Sequence, residues 1–282
     1  AGKCYQNCLA ADPNYLPALT AMANLMTRSA RYQEALTFAT RALSIDTYDA
    51  AANFIYGVVN AKLKKYTDAI DGFSMASAAL EYRAASYVEM SKLFLLQNQP
   101  ARAKEYAMKA AVTNPMQVPA FELLAIIARL QADPMAADKA LAQLEALDPL
   151  DHLIRFEKYL AHPSGENATA FTGMIRTELT HEAYLELAAW YLNLGLNTEV
   201  EKLLSLGPDQ PEINYWRAWL ARKSGNQTLS VELLKKANAG DPGLVFPYLQ
   251  ESIEPLTWAM KNSVNWKPKY YLALIHWNNE NR

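Results

Sequence analysis

The chain has 282 residues, 51% of them hydrophobic and 20% charged, and a net charge of −2. A near-neutral chain carries no basic footprint for a nucleic-acid backbone. No run approaches the roughly 18 consecutive apolar residues of a membrane span. Two cysteines in a chain of this length do not suggest a disulfide framework or an oxidising compartment, so the cytoplasm is favoured while localisation stays open.

Taken in chain order, small residues recur every 34 positions. Ala1, Ala35, Ala69, Ala103 and Ala137 fall at that step. A second column runs Ala23, Gly57, Ser91 and Ala125, and a third runs Cys8, Ala42, Ala76 and Ala110 before loosening to Leu144. A fourth closes each unit with Pro13, Thr47, Glu81, Pro115 and Pro149. A fixed period of this size means stacked supersecondary units. Within Pro17 to Tyr48, apolar or small residues at Leu19, Met22, Ala23 and Met26 predict one amphipathic helix. Those at Ala35, Leu36, Ala39, Ala42 and Leu43 predict a second. Ser29-Ala30-Arg31 leaves room only for a tight turn between antiparallel helices. Asp12-Pro13, Asn114-Pro115 and Asp148-Pro149 end second helices, because proline disfavours helical geometry at the residue before it. Cys4 and Cys8 sit one turn apart on the first of these helices. Their expected role is packing, with a metal or disulfide pair as the sharper alternative.

The strict period covers residues 1–150, and residues 151–282 continue the theme at altered lengths. Asp151 to Leu160 predicts a first helix, His162 to Gly165 a longer turn, and Asn167 to Leu179 a second helix. The next two units place Ala188 and Ala218 in the small column, with Gly195 and Gly225 in the turns. Between Pro242 and Trp266 a compressed helical pair is expected, with Pro255 opening its second helix. The last segment predicts a first helix with Ala273 in the small column. It would leave part of a stripe made of Tyr271, Leu272 and Ile275 exposed. Since residue 1 falls inside a second helix and residue 282 follows a first, either the natural chain continues in both directions or the ends dock on another copy.

These residues resemble the tetratricopeptide repeat family, whose 34-residue pattern is W-x2-L-G-x2-Y, then A-x3-F, then P. Tyr56-Gly57 with Ala69-x3-Phe73 is the best match, while the leading tryptophan column reads Leu19, Asn53, Tyr87 and Phe121. The resemblance implies an all-α fold, a right-handed superhelical solenoid of antiparallel helix pairs. The stretch from Val245 to Asn278 is also similar to the helical arrays that follow an aldose-mutarotase-like β-sandwich in a bacterial group. That similarity implies a helical appendage that oligomerises or positions a carbohydrate-processing domain.

No catalytic constellation stands out. His181-Glu182 opens like a zinc-protease helix, but no second histidine follows one turn later. There is no nucleophile elbow and no glycine-rich phosphate loop. No metal site and no cofactor is expected, and the chain reads as a non-enzymatic protein-binding scaffold. Stacked pairs curve, with first helices on the concave side. The expected groove runs through Asn24, Arg28, Phe54, Lys62, Lys92, Glu122 and Arg129, then Tyr215, Trp219, Arg222, Tyr270 and Trp277. Aromatic and arginine anchors suit a protein or peptide partner. The alternatives are seam-filling aromatics, contacts to another domain or copy, or stacking of Trp219, Tyr270 and Trp277 on sugars. The polar set that grips chaperone carboxylate tails is matched only at Asn24, since Thr20, Ile55, Ala85 and Glu89 stand at its other places.

Overall fold

The structure, a computed structural model, describes residues 2–280. Among them there are 17 α-helices, one short 3-10 helix and no strand. They form two compact units, one up to Pro149 and one from Leu150.

The first unit contains α1 (Gly2–Ala11), α2 (Leu16–Arg28), α3 (Tyr32–Ile45), α4 (Ala50–Lys62) and α5 (Tyr66–Ala76). It continues with α6 (Leu80–Leu96), α7 (Pro100–Thr113), α8 (Val118–Leu130) and α9 (Pro134–Leu147). Each helix packs on the next, and α2, α4, α6 and α8 also touch in series. The small columns are where helix axes close on each other. Ala23, Ala35, Ala42, Ala69, Ala76, Ala103 and Ala110 are all fully buried. At Gly57 a Cβ would stand 2.7 Å from the Phe73 ring, so the glycine is the space that ring occupies. In the same column the Ser91 hydroxyl donates across the pair to the carbonyl of Ala103 at 2.8 Å.

The turns inside the pairs repeat one device. Ala30, Lys64, Asn98 and Ala132, spaced by the repeat period, all take positive φ. The following amide then reaches back to a carbonyl five residues earlier: Arg31 to Met26 and Lys65 to Asn60, both at 2.8 Å. Left-handed residues with this bond close a helix C-terminus and turn the chain sharply. Gly195 and Gly225 do the same in the second unit. Where second helices end, Asp12, Asp46 and Asn114 each accept from the amide two residues on at 2.9–3.0 Å, an Asx turn that halts the helix.

The second unit contains α10 (His152–Ala161), α11 (Gly165–Thr172), α12 (Thr180–Asn193), α13 (Asn197–Ser205), α14 (Pro211–Lys223) and α15 (Gln227–Ala239). The 3-10 turn Gln250–Ser252 then leads into α16 (Ile253–Asn262), and α17 (Lys267–Glu280) follows. Phe156, Phe171, Tyr184 and Tyr191 interlock with ring centroids 5.3–5.7 Å apart. Around α14 to α17, Tyr215, Ala218, Leu233, Leu256, Tyr271 and Ile275 share one core.

Four expectations are corrected. The helix expected over 167–179 is α11, which starts earlier and stops at Gly173; the Gly173 amide donates to the Thr169 carbonyl and the Met174 amide to that of Phe171. The expected pair between Pro242 and Trp266 is one α-helix, α16, preceded only by the 3-10 turn Gln250–Ser252. Residues 243–249 are not helical, which suits a segment with Pro247 inside it and Leu244 at positive φ. Tyr271, Leu272 and Ile275 are buried, because α17 turns that stripe onto the α14–α16 core. Trp266, Tyr270 and Ala273 are exposed instead. Cys4 and Cys8 are exposed free thiols: α1 directs Tyr5 and Leu9 at the core shared with α2, which leaves both cysteines outward. Ala1 lies outside the described residues.

Candidate functional site, a pocket on the first-helix face

The first unit carries a concave pocket of about 420 Å³ on the face formed by α2, α4 and α6. Leu16, Pro17, Thr20, Ala21 and Asn24 line it from α2, Asp49, Ala51 and Ile55 from the start of α4, and Tyr82 from α6. The repeat builds this wall. Pro17 and Ala21 lie six and two residues before Ala23, and Ala51 and Ile55 stand in the same relation to Gly57. On α2 and α4 the small residue pins the helix to its own partner, and these four residues stand on the other side, where they line the pocket.

The floor is apolar and the edges are polar. The Thr20 hydroxyl is out of water and has no hydrogen-bond partner among the described residues. Asn24 is exposed. Asp49 caps α4, accepting from the Ala52 amide at 2.7 Å. Partial burial and the charges of Glu81 and Asp49 raise the Tyr82 phenol above its ordinary value, so it stays a neutral donor. An apolar floor with a few convergent polar groups is the usual make-up of a binding pocket. Among the described residues no group of three or more His, Cys, Asp or Glu is placed to hold a metal ion. Among the described residues no helix is long and apolar enough to cross a membrane.

The groove residues expected from the sequence scatter. Asn24 lines the pocket, and Arg28 and Lys62 are exposed at the ends of α2 and α4. Lys92 is half-buried and paired with Glu89 at 2.8 Å, and Glu122 and Arg129 are half-buried on α8. Phe54 is a seam residue. Its ring lies 5.5 Å from Phe73 and 5.4 Å from Tyr82. Two of the expected anchors are core residues. Tyr215 is fully buried and donates to Asn238 at 2.8 Å. Trp219 is 4% exposed, with the Lys223 ammonium 4.3 Å above its ring. Both sit where α14 is wrapped by its neighbours, and that burial removes them from any open groove. Arg222 is exposed and donates to Gln227 across the turn. Tyr270 and Trp277 are exposed on α17. Pro17, Ala21, Ala51 and Tyr82 were not anticipated. The signal for the first three is the count back from the small column.

Among the described residues, helix pairs packed in series within each unit, six of them closed by a left-handed residue in the turn, define the architecture. The chain has the tetratricopeptide repeat fold. A tetratricopeptide repeat protein from Parabacteroides merdae superposes with a TM-score of 0.54 at 15% identity, over 92% of this chain and 91% of that one. The C-terminal part of a tetratricopeptide repeat-containing protein from Cytophaga hutchinsonii gives 0.51 at 16% identity, over 90% and 93%. YrrB, a tetratricopeptide repeat protein with an unusual peptide-binding site, gives 0.47 at 16% identity, over 86% and 95%. At such identities the likeness is one of fold. No protein-family model and no curated protein matches the sequence. The tetratricopeptide pattern is strongest where the pocket lies, since Gly57 and Phe73 belong to the pair that carries Ala51 and Ile55.

Proposed function

We propose that the chain is a non-enzymatic protein-interaction scaffold that binds an extended peptide on the α2–α4–α6 face. The observation that carries this proposal is the 420 Å³ pocket with its apolar floor and unpartnered Thr20 hydroxyl. An apolar peptide side chain fits between Pro17, Ala21 and Ile55. The Asn24 amide, with donors and an acceptor in one plane, can pair with the peptide main chain. Arg28 and Lys62 place positive charge at the same end of their helices, which favours an acidic residue or a terminal carboxylate on the partner.

The test is a random-peptide phage library panned against the protein. Retained peptides should lose at least tenfold in affinity on Asn24→Ala or Ile55→Asp, about 1.4 kcal/mol or more. They should be indifferent to Met135→Ala at an exposed site on α9. A library that yields no binder, or binders indifferent to both pocket variants, would rule the proposal out.

A further inference from the structure

Part of the face that lines the open pocket of the first unit is covered in the second unit by the protein's own chain: on α14 the equivalent positions are buried, while on α12 Glu182 is half-buried and Glu186 exposed. Counting six and two residues back from Ala188 gives Glu182 and Glu186 on α12. The same count from Ala218 gives Glu212 and Trp216 on α14. These match Pro17, Ala21, Ala51 and Ile55 in repeat position. Residues 246–252 hydrogen-bond to three of them, Glu186, Glu212 and Trp216. The Tyr248 hydroxyl donates to Glu186. Trp216 Nε1 donates to Ser252 Oγ at 2.9 Å, and the Ser252 hydroxyl donates to Glu212 at 2.6 Å. Asn193, at the end of α12, donates to Glu251 at 2.9 Å. Val245 and Pro247 are buried while Phe246 is exposed, the alternation of an extended strand of chain. Glu212 and Trp216 are almost wholly out of water beneath it.

We propose that residues 246–252 are a built-in occupant of the second unit's first-helix face, and that this face takes peptides that run extended into a tight turn, with hydroxyl donors aimed at Glu186 and Glu212, when the strap leaves. The proposal extends the peptide-groove reading of the first unit through the equivalence of positions. Its own evidence is the set of contacts between strap and helices. Those contacts show what the face recognises: side-chain O–H groups spaced four residues apart, as Tyr248 and Ser252 are. Val245 anchors one end of the strap in the α14–α17 core and α16 holds the other, so the intervening residues can lift without unthreading the chain.

The test uses the full chain and a fluorescein-labelled peptide of residues 246–252, Phe-Pro-Tyr-Leu-Gln-Glu-Ser. Tyr248→Phe combined with Ser252→Ala removes both strap donors. The double variant should bind the peptide at least tenfold more tightly than the parent chain, and adding Ile55→Asp should change nothing, which separates this face from the first-unit pocket. Equal binding by parent and double variant, or loss of binding with Ile55→Asp, would overturn the proposal. A second measurement does not depend on the variant folding. In the parent chain, amide exchange at Tyr248–Ser252 should proceed by local opening, insensitive to low denaturant, while amides of α14 remain protected. Exchange of the strap only together with α14 would make it inseparable core and defeat the idea.

Discussion

Trp219 shows how burial decides a role that residue type cannot. Aromatic side chains anchor interfaces and cores alike, because both uses draw on the same buried area. At 4% exposure beneath Lys223, Trp219 belongs to the core. Trp219→Ala should cost about 3–5 kcal/mol of stability, read as a shift in the urea midpoint, with peptide affinity at the first-unit pocket unchanged. Glu212 is the other residue whose setting governs its chemistry. Burial pushes its carboxyl from 4.5 up to about 7, with Glu182 adding to the rise and the Ser252 hydrogen bond opposing it. The folded chain therefore holds a proton that the unfolded chain releases near pH 4.5. This group's contribution is most favourable below that pH, declines between 4.5 and 7, and above 7 the full penalty of a buried charge applies, about 3 kcal/mol. Glu182, itself raised by burial and by Glu186, acts in the same direction, while Tyr248 and Tyr271 stay neutral throughout. Relative to the parent chain, Glu212→Gln should flatten the fall in unfolding free energy between pH 5 and 8. Parallel profiles would mean that Glu212 does not titrate in that window.

At the scale of the helix pair, the turn is the element with the most to gain. Ala30, Lys64 and Ala132 hold left-handed backbone that glycine adopts freely. Ala30→Gly and Ala132→Gly should each raise stability by about 0.5–1 kcal/mol, after the unfolded-state entropy of glycine is offset, as thermal or urea unfolding would show. Gly57→Ala should do the opposite, since its Cβ meets the Phe73 ring. Pairing was legible in the sequence because small residues at close helix contacts repeat through Ala125 and Ala110, with the exposed Cys8 as the exception. The groove was legible only in part. At about 100° per residue, Phe54 stands about 60° round the helix from Gly57, whereas Ala51 and Ile55 stand about 120° and 160° away. Phe54, three residues before Gly57, therefore falls in the seam, while Thr20 at the same step before Ala23 still reaches the pocket. The strap was not legible, because its contacts join residues 36–62 positions apart with no period between them.

For the molecule as a whole, stacking means that each helix pair leans on its immediate neighbours, so damage stays local. Gly57→Val should strip amide-exchange protection from α4, α5 and α6 well before α9 responds. Uniform loss across the first unit would show instead that it unfolds as one block. Cys4 and Cys8 carry a consequence of another kind. Neither thiol is shielded, and α1 buries none of its residues. In air without reductant, two copies meeting through these sulfurs would join covalently, and preparations would drift toward a cross-linked ladder on non-reducing gels. Kept reduced, the same pair offers a two-point attachment for a dithiol-reactive dye, a tag one helical turn long on a helix remote in sequence from Ile55 and Tyr82.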